Sequence, residues 1–295
     1  MSPRRVLVTG ATGNQGGSVL RALLADGHEV RALTRSTEGE KADTLRELGA
    51  LPVAGSFDDV ESVRQAMRGA DAVFANTSSF AAGPAAEVPH GHALIDAAVA
   101  AGVEHFVLSS VGSADRATGV GHFDSKYAIE QHLRTTSLNW TITAPVFFAD
   151  NAMFPWNVGD IAQGRFRQAI GAGTKLQVVS VRDIGRFNAL VIARGAEFYG
   201  KRIDYAGDEL TGPQMADALT AATGAQVEFD EQPVAEMAAM GEDMVAMYTW
   251  FESTGYVADI EGLRRDYPEV GWERFGDWAA RQDWTAALSQ IKAAS

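Results

Sequence analysis

The chain has 295 residues, 25 of them basic and 38 acidic, which leaves a formal charge of −13, and it has no cysteine. That balance disfavours broad nucleic-acid or anionic-membrane binding, and the lack of cysteine excludes disulfides, thiolate metal sites and cysteine nucleophiles. With 46% hydrophobic and 21% charged residues the composition is that of a folded globular chain. No apolar run approaches the roughly 18 residues that span a bilayer, and Met1 to Arg5 lead straight into a strand-like segment, so a soluble cytoplasmic protein is expected.

In chain order, short apolar runs alternate with segments of helical period. Strands are expected at Arg5–Thr9, Glu29–Thr34, Leu51–Ala54, Asp71–Ala75 and His105–Ser109, and helices at Ser18–Ala25, Lys41–Leu48, Val60–Met67 and Gly91–Ala101. Ala81–Ala86 reads as a flexible loop. Apolar strands separated by helices point to an α/β fold with a doubly wound parallel Rossmann sheet. Beyond Pro145 the rhythm changes. Strands near Leu176–Val181 and Arg202–Tyr205, with a helix at Asp183–Arg194 between them, are expected to complete the sheet within about 176–207. Residues 1–150 form the expected nucleotide-binding domain, and 151–175 with 208–295 a smaller, mainly helical C-terminal lobe.

Gly10-Ala11-Thr12-Gly13-Asn14-Gln15-Gly16-Gly17 lies between the first strand and the first helix. Glycines at 10, 13 and 16 suit a tight turn whose backbone approaches a pyrophosphate at a helix start. Gly10, Thr12, Gly13, Asn14, Gln15 and Gly16 are therefore candidate cofactor contacts. The second strand ends in Thr34-Arg35-Ser36, without the carboxylate that usually bonds the ribose 2′-hydroxyl of NAD. Arg35 either pairs with a 2′-phosphate, which favours NADP with NAD still possible, or is a solvated surface arginine. Asp58 either contacts adenine or caps the following helix.

The glycine turn, Arg31-Ala32-Leu33-Thr34-Arg35, Gly121-His122-Phe123-Asp124-Ser125-Lys126, and Trp250-Phe251-Glu252-Ser253-Thr254-Gly255-Tyr256 with Ala258-Asp259-Ile260 resemble the NmrA-like branch of the atypical short-chain dehydrogenases. The resemblance covers nearly the whole chain. It implies a Rossmann domain, a small C-terminal lobe and NAD(P) held between them. The family includes nucleotide-sensing regulators as well as reductases of quinones and aromatic compounds. Short-chain dehydrogenases use a serine, a tyrosine and a lysine four residues after the tyrosine. Ser109 or Ser110 matches the serine and Lys126 the lysine, but the tyrosine position holds His122, and Tyr127 falls on another helix face. His122 is either a substitute proton donor or a packing residue at the helix start. Lys126 either holds the nicotinamide ribose or acts as a general base, as in related aromatic-ether reductases. Asp124 is expected to cap its helix.

The loop Asn76-Thr77-Ser78-Ser79-Phe80 is expected beside the ribose and nicotinamide, and Phe147 near the nicotinamide. Ala144 stands where the family segment usually opens with arginine. The aromatic residues Phe80, Phe148, Trp156 and Trp250 are candidate walls for a flat apolar substrate, with packing in the core as the alternative. No metal is expected at His90-Gly91-His92. The reading is an NADP-dependent oxidoreductase acting on a quinone or polycyclic aromatic carbonyl, as a monomer or homodimer without nucleic-acid or membrane partners. The alternative is a catalytically silent redox sensor acting through a protein partner.

Overall fold

The computed structural model describes residues 3–78 and 83–294. The chain forms two compact units, one comprising Met1–Ala117, Gly121–Ala144 and Ile184–Ile203, the other Thr118–Val120, Pro145–Asp183 and Asp204–Ser295.

The first unit opens with β1 (Arg5–Val8), α1 (Asn14–Ala25), β2 (Glu29–Thr34), α2 (Glu40–Glu47), β3 (Leu51–Ala54), α3 (Val60–Met67), β4 (Ala72–Asn76), α4 (Pro84–Ala101), β5 (His105–Ser109), α5 (Gly121–Arg134) and β6 (Asn139–Pro145). The chain continues through β7 (Phe147–Phe148), α6 (Pro155–Ala162), β8 (Arg165–Gln168), β9 (Lys175–Val179), α7 (Val181–Arg194) and β10 (Lys201–Tyr205). Seven strands make one sheet in the order β10-β6-β5-β4-β1-β2-β3. The pairs β3–β2, β2–β1, β1–β4, β4–β5 and β5–β6 are all parallel. The central strands β1, β4 and β5 are almost wholly buried because both faces of the sheet are covered there. Leu7, Val73, Phe106 and Ile142 from the sheet join Val63, Met67, Leu94, Ile95, Ile129 and Leu133 from the helices in one buried cluster. The chain reverses its direction of travel across the sheet between β1 and β4, and ligands of such sheets bind outside the carboxyl ends of the strands at that point.

The second unit contains β7, α6, β8 and β9, followed after β10 by β11 (Asp208–Thr211), α8 (Gly212–Thr223), β12 (Glu228–Glu231), α9 (Glu242–Ser253), α10 (Ile260–Asp266), α11 (Phe275–Arg281) and α12 (Trp284–Ala294). Its strands form a three-stranded sheet, β11-β9-β7, and a parallel pair, β12–β8. Trp272, Trp278 and Trp284 are buried in it.

Three expectations change. Of the two strands expected to complete the Rossmann sheet only β10 does so; β9 lies parallel to β7 and antiparallel to β11 instead. A short strand pattern such as Leu176 to Val179 fixes a strand but not its sheet. Helix α1 starts at Asn14 rather than Ser18, within the glycine turn. Helix α4 starts at Pro84, within the segment read as a loop, since proline at a first helical position gives up an N–H that has no partner in any case. Among the described residues no helix is long and apolar enough to cross a membrane.

Candidate active site

Gly10 follows β1 with φ of +63°, a left-handed conformation that glycine adopts without steric cost. The Gly13 N–H donates to Gly10 O and the Gly17 N–H to Gly13 O, each at 2.9 Å. A Cβ on Gly16 would sit 2.4 Å from Gly10 O and 2.5 Å from Thr9 O, so the helix start lies directly against the strand end. Gly13 caps α1 without a side chain, and the first turn carries no acidic residue. Thr12, Gly13 and Asn14 are exposed. A helix start of this kind offers free N–H groups and the positive end of the helix dipole to an anion.

The neighbouring strand ends are joined to this turn. The Thr9 hydroxyl donates to Asn76 O at 2.9 Å and accepts from Asn76 N at 2.7 Å. Asn76 Nδ2 lies 3.3 Å from where a Gly10 Cβ would be, so the amide covers the turn. Asn76 is in register with Ser109. The Ser109 hydroxyl donates to Gln15 Oε1 at 2.9 Å, and its carbonyl accepts from Lys126 Nζ at 3.4 Å. Ser109 thus links the glycine turn to Lys126.

Lys126, on α5, also donates to Thr77 O at 2.8 Å and Thr77 Oγ1 at 3.0 Å, and pairs with Glu87 Oε1 at 3.0 Å. Glu87 sits in the first turn of α4, where the helix dipole favours a carboxylate. Its side chain is 0% exposed, against 12% for Lys126. It accepts from Thr77 Oγ1 at 2.9 Å and Ser125 Oγ at 2.6 Å. Burial alone would push the Glu87 carboxyl up, but Lys126, Ser125 and Thr77 outweigh it and hold the group below the usual carboxylate range. Burial pushes the Lys126 ammonium below the ordinary lysine range, with Glu87 and then Glu130 opposing.

A second buried group adjoins the first. The Ser110 hydroxyl donates to Glu130 on α5, and Arg202 on β10 donates to Glu130 Oε2 at 2.9 Å and to Val111 O at 3.1 Å. Both serines of the expected pair are therefore buried with their hydroxyl protons engaged, Ser109 toward the glycine turn and Ser110 toward Glu130. His122 lies one helical turn before Lys126; its carbonyl accepts from Ser125 Oγ at 3.1 Å and its ring contacts Phe123. Asp124 is in the same first turn of α5.

At the rim, Arg35 is exposed just beyond β2, and it has no hydrogen bond or ion pair among the described residues. Asp58 is exposed beyond β3 and pairs with His90 Nε2 at 3.0 Å. The helix cap considered for Asp58 belongs to Asp59, whose side chain accepts from Ser62 N. Ser78 is exposed, while Phe80 lies outside the described residues.

In the second unit, Phe147, Tyr248, Trp250, Phe251 and Tyr256 form a linked set of ring contacts, with Phe147 edge-on to Phe251 at 6.0 Å. Trp250 is buried within it. Phe148 is half-buried on β7. Trp156 is 59% exposed and stacks on Phe154 at 4.7 Å.

Sequence reasoning missed Glu87, Glu130 and Arg202. Glu130 did leave a signal: it lies one turn after Lys126 between Ile129 and Leu133, a charged residue in the apolar stripe of its helix. Glu87 left none beyond its place at a helix start.

The strand order and the glycine turn at the β1–β4 switch point define a protein of the Rossmann class. The model of the NmrA-like family matches residues 2–279, and the chain belongs to that family. It is 31% identical over 265 residues to the NmrA-like family domain-containing oxidoreductase ptmS of Penicillium ochrochloron, covering 79% of this chain and 77% of that protein. It is 29% identical over 243 residues to an NAD(P)H azoreductase of Xenophilus azovorans, covering 80% and 81%. Among solved structures, NmrA, a negative transcriptional regulator in complex with NADP, superposes with a TM-score of 0.77 at 20% identity, covering 97% of this chain and 100% of that one. An NADPH-dependent quinone oxidoreductase of Escherichia coli gives 0.77 at 22% identity, covering 93% and 98%. At these identities the structural likeness is one of fold.

Proposed function

We propose that the chain is an NADP(H)-dependent oxidoreductase that reduces a flat apolar acceptor, a quinone or a polycyclic aromatic carbonyl. The observation that carries this reading is Ser109, which joins the glycine turn to Lys126 at the sheet's switch point and so makes one continuous seat from phosphate cradle to cation. The first turn of α1 would hold the pyrophosphate, Arg35 the 2′-phosphate, and Asn76, Thr77 and Lys126 the ribose next to the nicotinamide. Bound NADPH supplies a hydride. The chain's part is to orient the acceptor, exclude water and deliver a proton to the acceptor oxygen, for which His122 stands in the tyrosine's place. The second unit is the proposed substrate lobe, its aromatic set around Phe147, Trp250 and Phe251 serving as an apolar wall. The quinone oxidoreductase of similar fold and the azoreductase relative support an acceptor of this class.

The test is to mix purified protein with NADPH and a panel of quinones and azo dyes and to follow loss of the reduced-nicotinamide absorbance. Acceptor-dependent loss is expected. Tight NADPH binding without turnover on any acceptor would favour a redox-sensing regulator, a reading to which the histidine at the tyrosine position lends weight.

A further inference from the structure

Glu87 is a costly residue to bury. A carboxylate with no solvent exposure needs several hydrogen bonds and a counter-charge to be tolerated. It has both. Thr77 Oγ1 donates to Glu87 Oε1 at 2.9 Å, and Ser125 Oγ divides its one proton between Glu87 Oε2 at 2.6 Å and His122 O at 3.1 Å. With Lys126 Nζ 3.0 Å from Oε1 as the counter-charge and two hydroxyls to accept from, the ionised carboxylate is the form that these partners favour.

The same reasoning applies to Lys126. Its Nζ faces Thr77 O, Ser109 O, the Glu87 carboxylate and a Thr77 hydroxyl whose proton points elsewhere. All four present lone pairs. An ammonium ion has three donors for them, whereas a neutral amine would turn its own lone pair against an acceptor. The titratable groups acting on Lys126 are Glu87 from α4 and Glu130 from α5, and both favour the charged form.

We propose that Glu87 is a positioning residue that holds the Lys126 side chain as an ammonium ion fixed at the carboxyl ends of β4 and β5, so that this lysine acts as a placed cation and not as a general base. The inference rests on the proposed function for its purpose, to hold an anionic or hydroxyl-bearing part of the nucleotide, but not for its test. It also explains why a chain with 13 excess negative charges places one more carboxylate beside an anion site: Glu87 faces the lysine from behind, within the helix, and keeps it charged.

The experiment is a pH titration of the lysine side chains by NMR on protein carrying isotopically labelled lysine. Lys126 is assigned against Lys41, Lys175, Lys201 and Lys292 with a Lys126→Arg variant. In the parent protein Lys126 is expected to remain an ammonium ion at pH 7.5. In Glu87→Gln its midpoint should fall by more than one unit, and Glu87→Asp should recover at least half of that fall. NADPH affinity at pH 8, measured by fluorescence titration, should drop about tenfold in Glu87→Gln and be largely restored in Glu87→Asp, a rescue that mere space-filling would not give. A neutral Lys126 in the parent at pH 7.5 overturns the proposal even if the variant fails to fold, and so does an unchanged midpoint in a folded Glu87→Gln. If no NADPH binds to the parent at all, the proposed function fails while the lysine titration still decides the role of Glu87.

Discussion

Arg35 stands exposed just past β2 and is without a partner among the described residues. An arginine held by no carboxylate keeps its planar fork for a ligand, and a phosphate is the group that fork fits best. Arg35→Ala should therefore weaken NADPH binding by tenfold or more, since charge-assisted hydrogen bonds contribute about 1.5–3 kcal/mol and tenfold is about 1.4 kcal/mol. NADH binding should change by less than threefold. Calorimetric titration with both nucleotides checks this, and equal losses for the two would remove Arg35 from the 2′-phosphate site. Arg35 could be read from sequence because its argument is local: the end of a strand and the residue type found there. Lys126 became a candidate through the Gly121–Lys126 segment, which resembles the family's own, and His122 followed by counting back four to the tyrosine position. Glu87 was not legible, because its partners lie at 77, 125 and 126, and only the packing of α4 against α5 brings them together.

At the scale of elements, α1 is gripped from two sides. Gly16 touches the end of β1, and a Cβ on Gly185 of α7 would lie 2.4 Å from Ser18 Oγ and 2.6 Å from Ser18 O. Neither neighbour can yield cheaply, because the contacts include backbone. Overpacking of this kind costs about 1–3 kcal/mol or more. Both Gly16→Ala and Gly185→Ala should lower the melting temperature by several degrees, but only Gly16→Ala displaces the turn itself. Its NADPH affinity should fall at least tenfold at a temperature where both variants are folded, while Gly185→Ala retains affinity within about threefold. Matching losses in the two would show that helix position, not the turn, limits binding. Element type was well marked along the first half of the chain, since periodicity and glycine stops are strong there. Boundaries were not: the glycines that make the turn conceal that α1 has already begun at Asn14. The destination of β9 was beyond the pattern altogether, because partners at 147–148 and 208–211 select it.

For the whole molecule, two buried groups with large shifts, His105 and Asp183, bend stability against pH in opposite directions. His105 on β5 is fully buried; desolvation first, then Arg4, lowers it to about 3. The unfolded chain takes up a proton there below pH about 6.5, so this group's contribution is complete above that pH and is lost as pH falls toward 3. Asp183, also fully buried, is raised to about 7 by desolvation, with the Glu273 charge adding to the rise while the Glu273 N–H, Ser180 and Arg182 oppose it. The folded chain keeps a proton there that the unfolded chain releases above pH about 4. Its contribution is therefore complete below that pH and declines until pH 7, by roughly 4 kcal/mol for a shift of about three units. Across pH 4–6.5 the two slopes offset. Carboxyls held low, such as Asp71, Glu87 and Glu273, act at the acid end, where their stabilisation is lost as pH falls below about 4.5. Asp183→Asn removes one slope and leaves the other. Its melting temperature should rise between pH 4.5 and 6.5, where that of the parent is nearly level, and should exceed the parent's by several degrees at pH 7.5, with the difference vanishing toward pH 4. Scanning calorimetry across these values checks it, and a variant no more stable than its parent at pH 7.5 would show that Asp183 is already ionised at little cost in the folded protein.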